Sequence, residues 1–133
     1  MSVEVATYLD SSALVKLIVT ESETDALVSH LADAARMTSS SLVEVEVVRA
    51  VRKGGAGLVA DARRALDEIE LIALDERLLR AAADLADDAL RTLDAIHVAA
   101  AQTLGDDLAE LITYDRRMAT AAAGLGLPVA SPV

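Results

Sequence analysis

Four acids could do chemistry together if the fold gathers them: Asp10, Glu46, Asp94 and Asp115. Asp10 ends the apolar run Val5 to Leu9, and Asp115 ends the run Leu111-Ile112-Thr113-Tyr114. Asp94 opens the stretch Thr92 to Ala101, and Glu46 lies between Leu42 and Lys53. Carboxylates crowded into one pocket repel and raise one another's pKa. Hard divalent cations relieve that repulsion, and an oxygen-only donor set suits magnesium or manganese. Ions so held activate water and neutralise a phosphodiester in its transition state. Taken singly, each acid has a plainer explanation. Asp10, with the hydroxyls of Ser11 and Ser12, offers a cap to a helix through Leu14, Leu17 and Ile18. Asp94 sits in a first helical turn, where the dipole favours a carboxylate by about 0.3–1 kcal/mol. Glu46 faces Arg49 one turn on, a pair worth about 0.2–0.5 kcal/mol.

The elements that must position these acids alternate along the chain. Strand candidates are Val5–Leu9, Met37–Ser40, Leu71–Leu74, Leu111–Tyr114 and Leu127–Ala130, the last with a proline suited to an edge. Helical spacing follows Ser11, runs from Asp25 to Ala35 behind a cap at Ser22, and recurs over Leu58–Glu70, after Asp75, over Thr92–Ala101 and over Arg116–Ala123. Leu42 to Lys53 is open. Val43-Glu44-Val45-Glu46-Val47 alternates as a strand does, whereas the continuation to Lys53 and Gly54-Gly55 reads as a helix with a basic last turn and a glycine stop. Strand and helix in alternation predict an α/β fold: one parallel sheet between two helical layers, a single domain over residues 1–133. Strand-to-helix loops of such a sheet emerge on one side, so acids from several of them can converge.

Composition narrows the function classes. Apolar residues make up 53% of the chain, with no Phe, no Trp and only 2 Tyr, so the core is aliphatic. Lys and Arg number 12 against 22 Asp and Glu, a net charge of -10. No basic nucleic-acid surface is evident, and two tyrosines build no stacking platform. Phosphate contacts must come from bound metal or from a few cations, of which Arg49, Arg52, Arg116 and Arg117 are nearest the acids in sequence. The absence of cysteine excludes disulfides, thiolate metal sites and thiol nucleophiles, and fits a reducing cytoplasm. Neither a signal peptide nor a membrane span is expected. Gly54-Gly55-Ala56-Gly57 lacks the Gly-Lys-Ser/Thr ending of a phosphate loop and reads as a turn. His30 is expected on the surface with Asp33 its one nearby acid at helical spacing. His97 is expected to be structural, packed in place or touching Asp94.

The chain resembles PIN-domain ribonucleases, specifically VapC-type toxins of type II toxin–antitoxin pairs. The resemblance is carried by Tyr8-Leu9-Asp10-Ser11-Ser12-Ala13-Leu14-Val15-Lys16, Ser40-Ser41-Leu42 with Glu46-Val47-Val48-Arg49-Ala50, Leu93-Asp94-Ala95-Ile96-His97, Thr113-Tyr114-Asp115-Arg116-Arg117, and Gly124 to Val129, in that order. It implies a three-layer α/β/α fold with about five short parallel strands, and it makes Leu42 to Lys53 a helix. It also implies a magnesium- or manganese-dependent endoribonuclease acting on cellular RNA, commonly homodimeric and inhibited by a cognate antitoxin. Asp10, Glu46, Asp94 and Asp115 occupy the positions of the family's acids, with Glu44 a competitor for the place of Glu46. Two other classes stand beside this one. A phospho-accepting signalling domain would want adjacent acids after the first strand and a lysine after the last, yet Leu9 precedes Asp10 and no lysine follows Lys53. A PIN-like binding module without catalysis has no evident reason to keep all four acids.

Overall fold

The computed structural model describes residues 4–133. Its sheet has five parallel strands, β1 (Ala6–Leu9), β2 (Arg36–Ser40), β3 (Glu70–Ile72), β4 (Leu108–Ile112) and β5 (Val129–Ala130), in the order β3-β2-β1-β4-β5. The helices are α1 (Ser11–Ile18), α2 (Thr24–Leu31), α3 (Val43–Val51), α4 (Ala56–Asp67), α5 (Glu76–Ala83), α6 (Thr92–Gln102) and α7 (Arg116–Gly124).

Successive strand residues point to opposite faces, and this alternation divides the core in two. Tyr8 and Leu111 enter a cluster with Leu78, Ala82, Val98, Met118 and their neighbours from α5, α6 and α7. Leu9 and Ile112 enter the other, with Leu14, Leu27, Val47 and Leu66 from α1 to α4. The predicted three-layer arrangement is therefore what forms. Buried Ala99, Ala100 and Ala101 let α6 lie close against the sheet.

Helix α3 resolves the ambiguous segment. Val43, Val47 and Val51 are 0–3% exposed, whereas Val45 is 59% exposed. Each buried valine contributes about 1.5–3 kcal/mol, while β-branched residues cost a helix only about 0.7 kcal/mol each or less. The four-residue repeat thus outweighs the local alternation.

Four local expectations shift. The fourth strand begins at Leu108, earlier than the apolar run suggested, and ends at Ile112. Glu110 obscured its start in the sequence, but this acid is paired with His30 of α2. The histidine's partner is thus eighty residues away in sequence, not Asp33. The third strand stops at Ile72 instead of Leu74. Ser22 does not cap α2, which starts at Thr24 after an uncapped Glu23. Lys16 holds Glu23 at 2.8 Å, and the Thr24 hydroxyl donates to the Lys16 carbonyl at 2.8 Å, so α1 sets this turn.

Candidate active site

From β1 the chain steps outward through β2 to β3, and then returns to place β4 and β5 on the other side. The reversal lies between β1 and β4, and crevices at the carboxyl ends of strands at such a switch point are where open α/β sheets bind ligands. Asp10 lies at this crevice, 2% exposed, with its N–H donating to the Ile112 carbonyl at 3.2 Å. Its Oδ1 accepts from the Ser12 hydroxyl at 2.7 Å and from the Ala13 N–H at 3.0 Å. Its Oδ2 accepts from the Thr113 hydroxyl at 2.5 Å. The cap of α1 is therefore Asp10 itself, with Ser12 orienting it.

The same hydroxyls reach the β4 side. Ser12 Oγ accepts from the Tyr114 N–H at 2.9 Å, and Thr113 Oγ1 accepts from the Asp115 N–H at 3.1 Å. Asp115 caps α7 through Oδ1, which accepts from the N–H groups of Arg117 at 2.9 Å and Met118 at 3.1 Å. Its Oδ2 has no hydrogen-bond partner among the described residues.

Glu46 projects from α3 toward the opposite helical layer. Its Oε1 lies 2.6 Å from Nε2 of His97, on α6. Nδ1 of His97 lies 2.7 Å from the Tyr8 hydroxyl, and the two rings meet edge-on at 76°. His97 is 1% exposed and Tyr8 fully buried. Thus His97 is packed in place as expected, but its partners are Tyr8 and Glu46 and not Asp94. Glu46 pairs with His97 and not with Arg49. Glu44 is exposed. Asp94 is half-buried and makes no side-chain hydrogen bond among the described residues.

The electrostatics join these acids. Burial raises the pKa of Asp94 first, and the charges of Asp115, Asp10 and Glu46 raise it further, with His97 opposing. Burial likewise raises Asp10, against the hydrogen bonds from Ser12, Thr113 and Ala13 and the nearby His97. All four predicted acids thus share one local field. Arg49 and Arg52, with Arg63 and Val48, border a cleft of about 350 Å³ between α3 and α4. Arg116 and Arg117 are exposed beside Asp115.

The donor set fits a hard divalent cation. It contains only oxygen, it carries uncompensated like charge, and it leaves Asp94 and one oxygen each of Asp115 and Glu46 without a protein donor among the described residues. No group of three or more His, Cys, Asp or Glu side chains is gathered tightly enough to hold an ion, among the described residues. Magnesium does not require such a cage: it keeps several waters and takes one or two carboxylates. Ser12 and Thr113, and the Tyr8–His97 pair, had no signal as site residues in the sequence beyond their place in the motif segments. Their parts depend on strand register and on contacts across the sheet.

A parallel sheet with its switch point between β1 and β4 defines the broad class of open α/β folds, and similarity to known proteins narrows it. The profile of the PIN domain family matches residues 7–124. The chain is 49% identical over 127 residues to Ribonuclease VapC46 of Mycobacterium tuberculosis, covering 96% of this chain and 98% of that one. It is 42% identical over 129 residues to Ribonuclease VapC35 from the same species, covering 94% and 96%. Among solved structures, the M. tuberculosis VapC20 toxin, described as cleaving the sarcin–ricin loop, superposes with a TM-score of 0.74 at 16% identity, covering 95% of this chain and 99% of that one. A toxin–antitoxin complex from Klebsiella pneumoniae gives a TM-score of 0.74 at 23% identity, covering 96% and 98%. The chain belongs to the PIN-domain family, among its VapC ribonucleases.

Proposed function

We propose that this chain is a divalent-metal-dependent endoribonuclease toxin that cleaves cellular RNA in the cytoplasm and is restrained by a cognate antitoxin. The observation that carries the reading is the shared field of Asp10, Glu46, Asp94 and Asp115 at the sheet's switch point. Ribonuclease names among relatives 49% and 42% identical support the chemistry. Neighbouring folds solved as toxin–antitoxin complexes support the partner. No helix among the described residues is long and apolar enough to cross a membrane. Residues 1–133 would act as one PIN domain, and two copies would pair as a homodimer.

Magnesium or manganese, when bound, would supply an activated water and charge neutralisation at the phosphodiester. Asp94, Asp115 and Glu46 would hold the ion, directly or through water, on the oxygens that the protein leaves unpaired. Asp10 would complete the set from a fixed position, its carboxylate immobilised by Ser12, Ala13 and Thr113. Glu46 Oε2 would orient the water that attacks. Arg116 and Arg117, beside Asp115 at the start of α7, would steer the RNA phosphate more directly than Arg49 and Arg52, which face the α3–α4 cleft.

An acidic pocket on a protein of net charge -10 also suits a basic antitoxin segment, whose Arg or Lys would bond these carboxylates and compete with the ion. Purified protein should cut RNA with magnesium or manganese, stop with a chelator, and resume when metal returns. Sequencing the RNA ends formed on expression without the antitoxin identifies the target. Full cleavage after rigorous metal removal would refute the metal reading, and absence of cleavage with every metal would favour the binding module.

A further inference from the structure

Glu46 and Asp94 come from helices in different layers, α3 on one face of the sheet and α6 on the other. Nothing covalent fixes their separation over the sheet's carboxyl edge. One side chain spans it. His97 stands one helical turn beyond Asp94 on α6 and meets Glu46 Oε1 at 2.6 Å, a contact between residues 51 apart in sequence.

The ring is itself held. His97 is 1% exposed, and Tyr8, fully buried at the end of β1, meets Nδ1 at 2.7 Å. Nε2 faces an oxygen of a carboxylate, a group that only accepts, so the ring proton lies on Nε2, aimed at Glu46. In the neutral ring Nδ1 is then the acceptor, and the buried Tyr8 hydroxyl donates to it. The tautomer and the direction of both bonds follow from these two contacts. With Oε1 occupied by this donor, Glu46 presents Oε2 to the crevice. Carboxylates that hold ions are commonly oriented in this way by a hydrogen-bonded neighbour, and losing it costs about 10–100-fold in metal affinity or activity.

We infer that His97, locked by Tyr8, is a positioning residue that fixes Glu46 against Asp94 and presents its second oxygen to the metal. The inference rests on the proposed metal-binding role of the acids.

The test is manganese titration of the full chain, read as free ion by electron paramagnetic resonance, beside thermal melts of each variant. His97→Phe keeps a ring of similar size and loses both bonds. It should bind manganese about 10–100-fold more weakly while still folding. His97→Gln, whose amide can still donate to Glu46, should recover most of the loss. In Glu46→Gln, adding His97→Phe should cost little more, because the histidine acts through the glutamate. On the wild-type protein, the ring-nitrogen chemical shifts of His97 should report the Nε2–H tautomer, a reading that needs no variant to fold. Wild-type manganese affinity in His97→Phe, with Glu46→Gln impaired, would overturn the inference, as would an Nδ1–H tautomer. Wild-type affinity in Glu46→Gln and Asp94→Asn as well would instead overturn the metal reading on which it stands.

Discussion

Asp10 and Asp94 feel one another's charge but are held in opposite ways. Asp10 is buried and receives two hydroxyls and a backbone N–H. Asp94 is half-buried with no side-chain partner among the described residues, and its neighbours are other carboxylates. The β1–β4 seam therefore provides a rigid wall, and the start of α6 provides a carboxylate still free to adjust. The difference separates a group whose geometry the fold has set from one whose geometry an ion would set.

The contrast is most sharply tested by lengthening each acid. Asp10→Glu forces an extra methylene among three fixed donors, and overpacking of this kind costs about 1–3 kcal/mol. It should abolish cleavage and lower Tm. Asp94→Glu meets no such lock and should keep measurable cleavage, whereas Asp94→Asn should abolish it. Initial rates at saturating magnesium decide the matter. Equal loss in both Glu variants would mean that the seam is no more rigid than α6.

Next in size is the pair on α3. Glu46→Gln should reduce cleavage by orders of magnitude, and Glu44→Gln should leave it nearly intact. Glu44 is exposed near Arg63, Leu66 and Asp67, on a different side of α3 from the crevice. Circular dichroism on both variants checks that the fold survives. The reverse outcome would place the wrong face of α3 at the site.

Much of this candidate site was legible in the residues. Acids at two strand ends and a first helical turn suggested convergence, because parallel topology sends their loops to one edge. The helix at α3 was written in Val43, Val47 and Val51, although Val45 and the two glutamates imitated a strand. What was not legible depended on long-range register. Thr113 matters only because Leu9 pairs with Ile112, which brings the next residue of each strand together. Local spacing left open whether His97 touches Asp94, but its bonds run 51 and 89 residues away. The fourth strand starts at Leu108, ahead of the apolar run, and its Glu110 finds a partner only in His30 of α2.

Thr113→Val tests that register at the level of a single hydroxyl. The substitution keeps the shape while removing the donor to Asp10 Oδ2 and the acceptor for the Asp115 N–H. A buried charged group deprived of one partner costs about 1–3 kcal/mol, and losing a positioning contact costs about 10–100-fold in activity. Both losses should appear together, in melts and in initial rates. A variant with wild-type stability and rate would mean that Ser12 and Ala13 suffice to hold Asp10.

The smallest effect concerns protons in place of the ion, in protein freed of metal. The folded-state pKa of Asp10 lies above its ordinary value, chiefly through burial. A carboxyl raised by folding contributes stability that is complete below its unfolded pKa and is lost as pH rises through the folded one. At pH 7, above the ordinary carboxylate range, Asp10 is therefore a burden on the metal-free fold. Asp10→Asn removes the charge and retains the bonding pattern: Oδ1 still accepts from Ser12 and Ala13, and Nδ2 can donate to Thr113 Oγ1. Its Tm at pH 7 should exceed that of the metal-free wild type by about 3–6 °C, the scale expected when roughly 1 kcal/mol is relieved in a domain of this size. The advantage should shrink on acidification, as the wild type takes up its own proton. Added magnesium should also erase it, by stabilising the wild type alone. Asp94→Asn should follow the same sign with a smaller rise, because that carboxylate is less buried and depends more on its neighbours' charges. A metal-free Asp10→Asn that melts below the wild type at pH 7 would show that the three donors outweigh the burial of the charge, and that the seam is rigid because it is stable, not despite a cost.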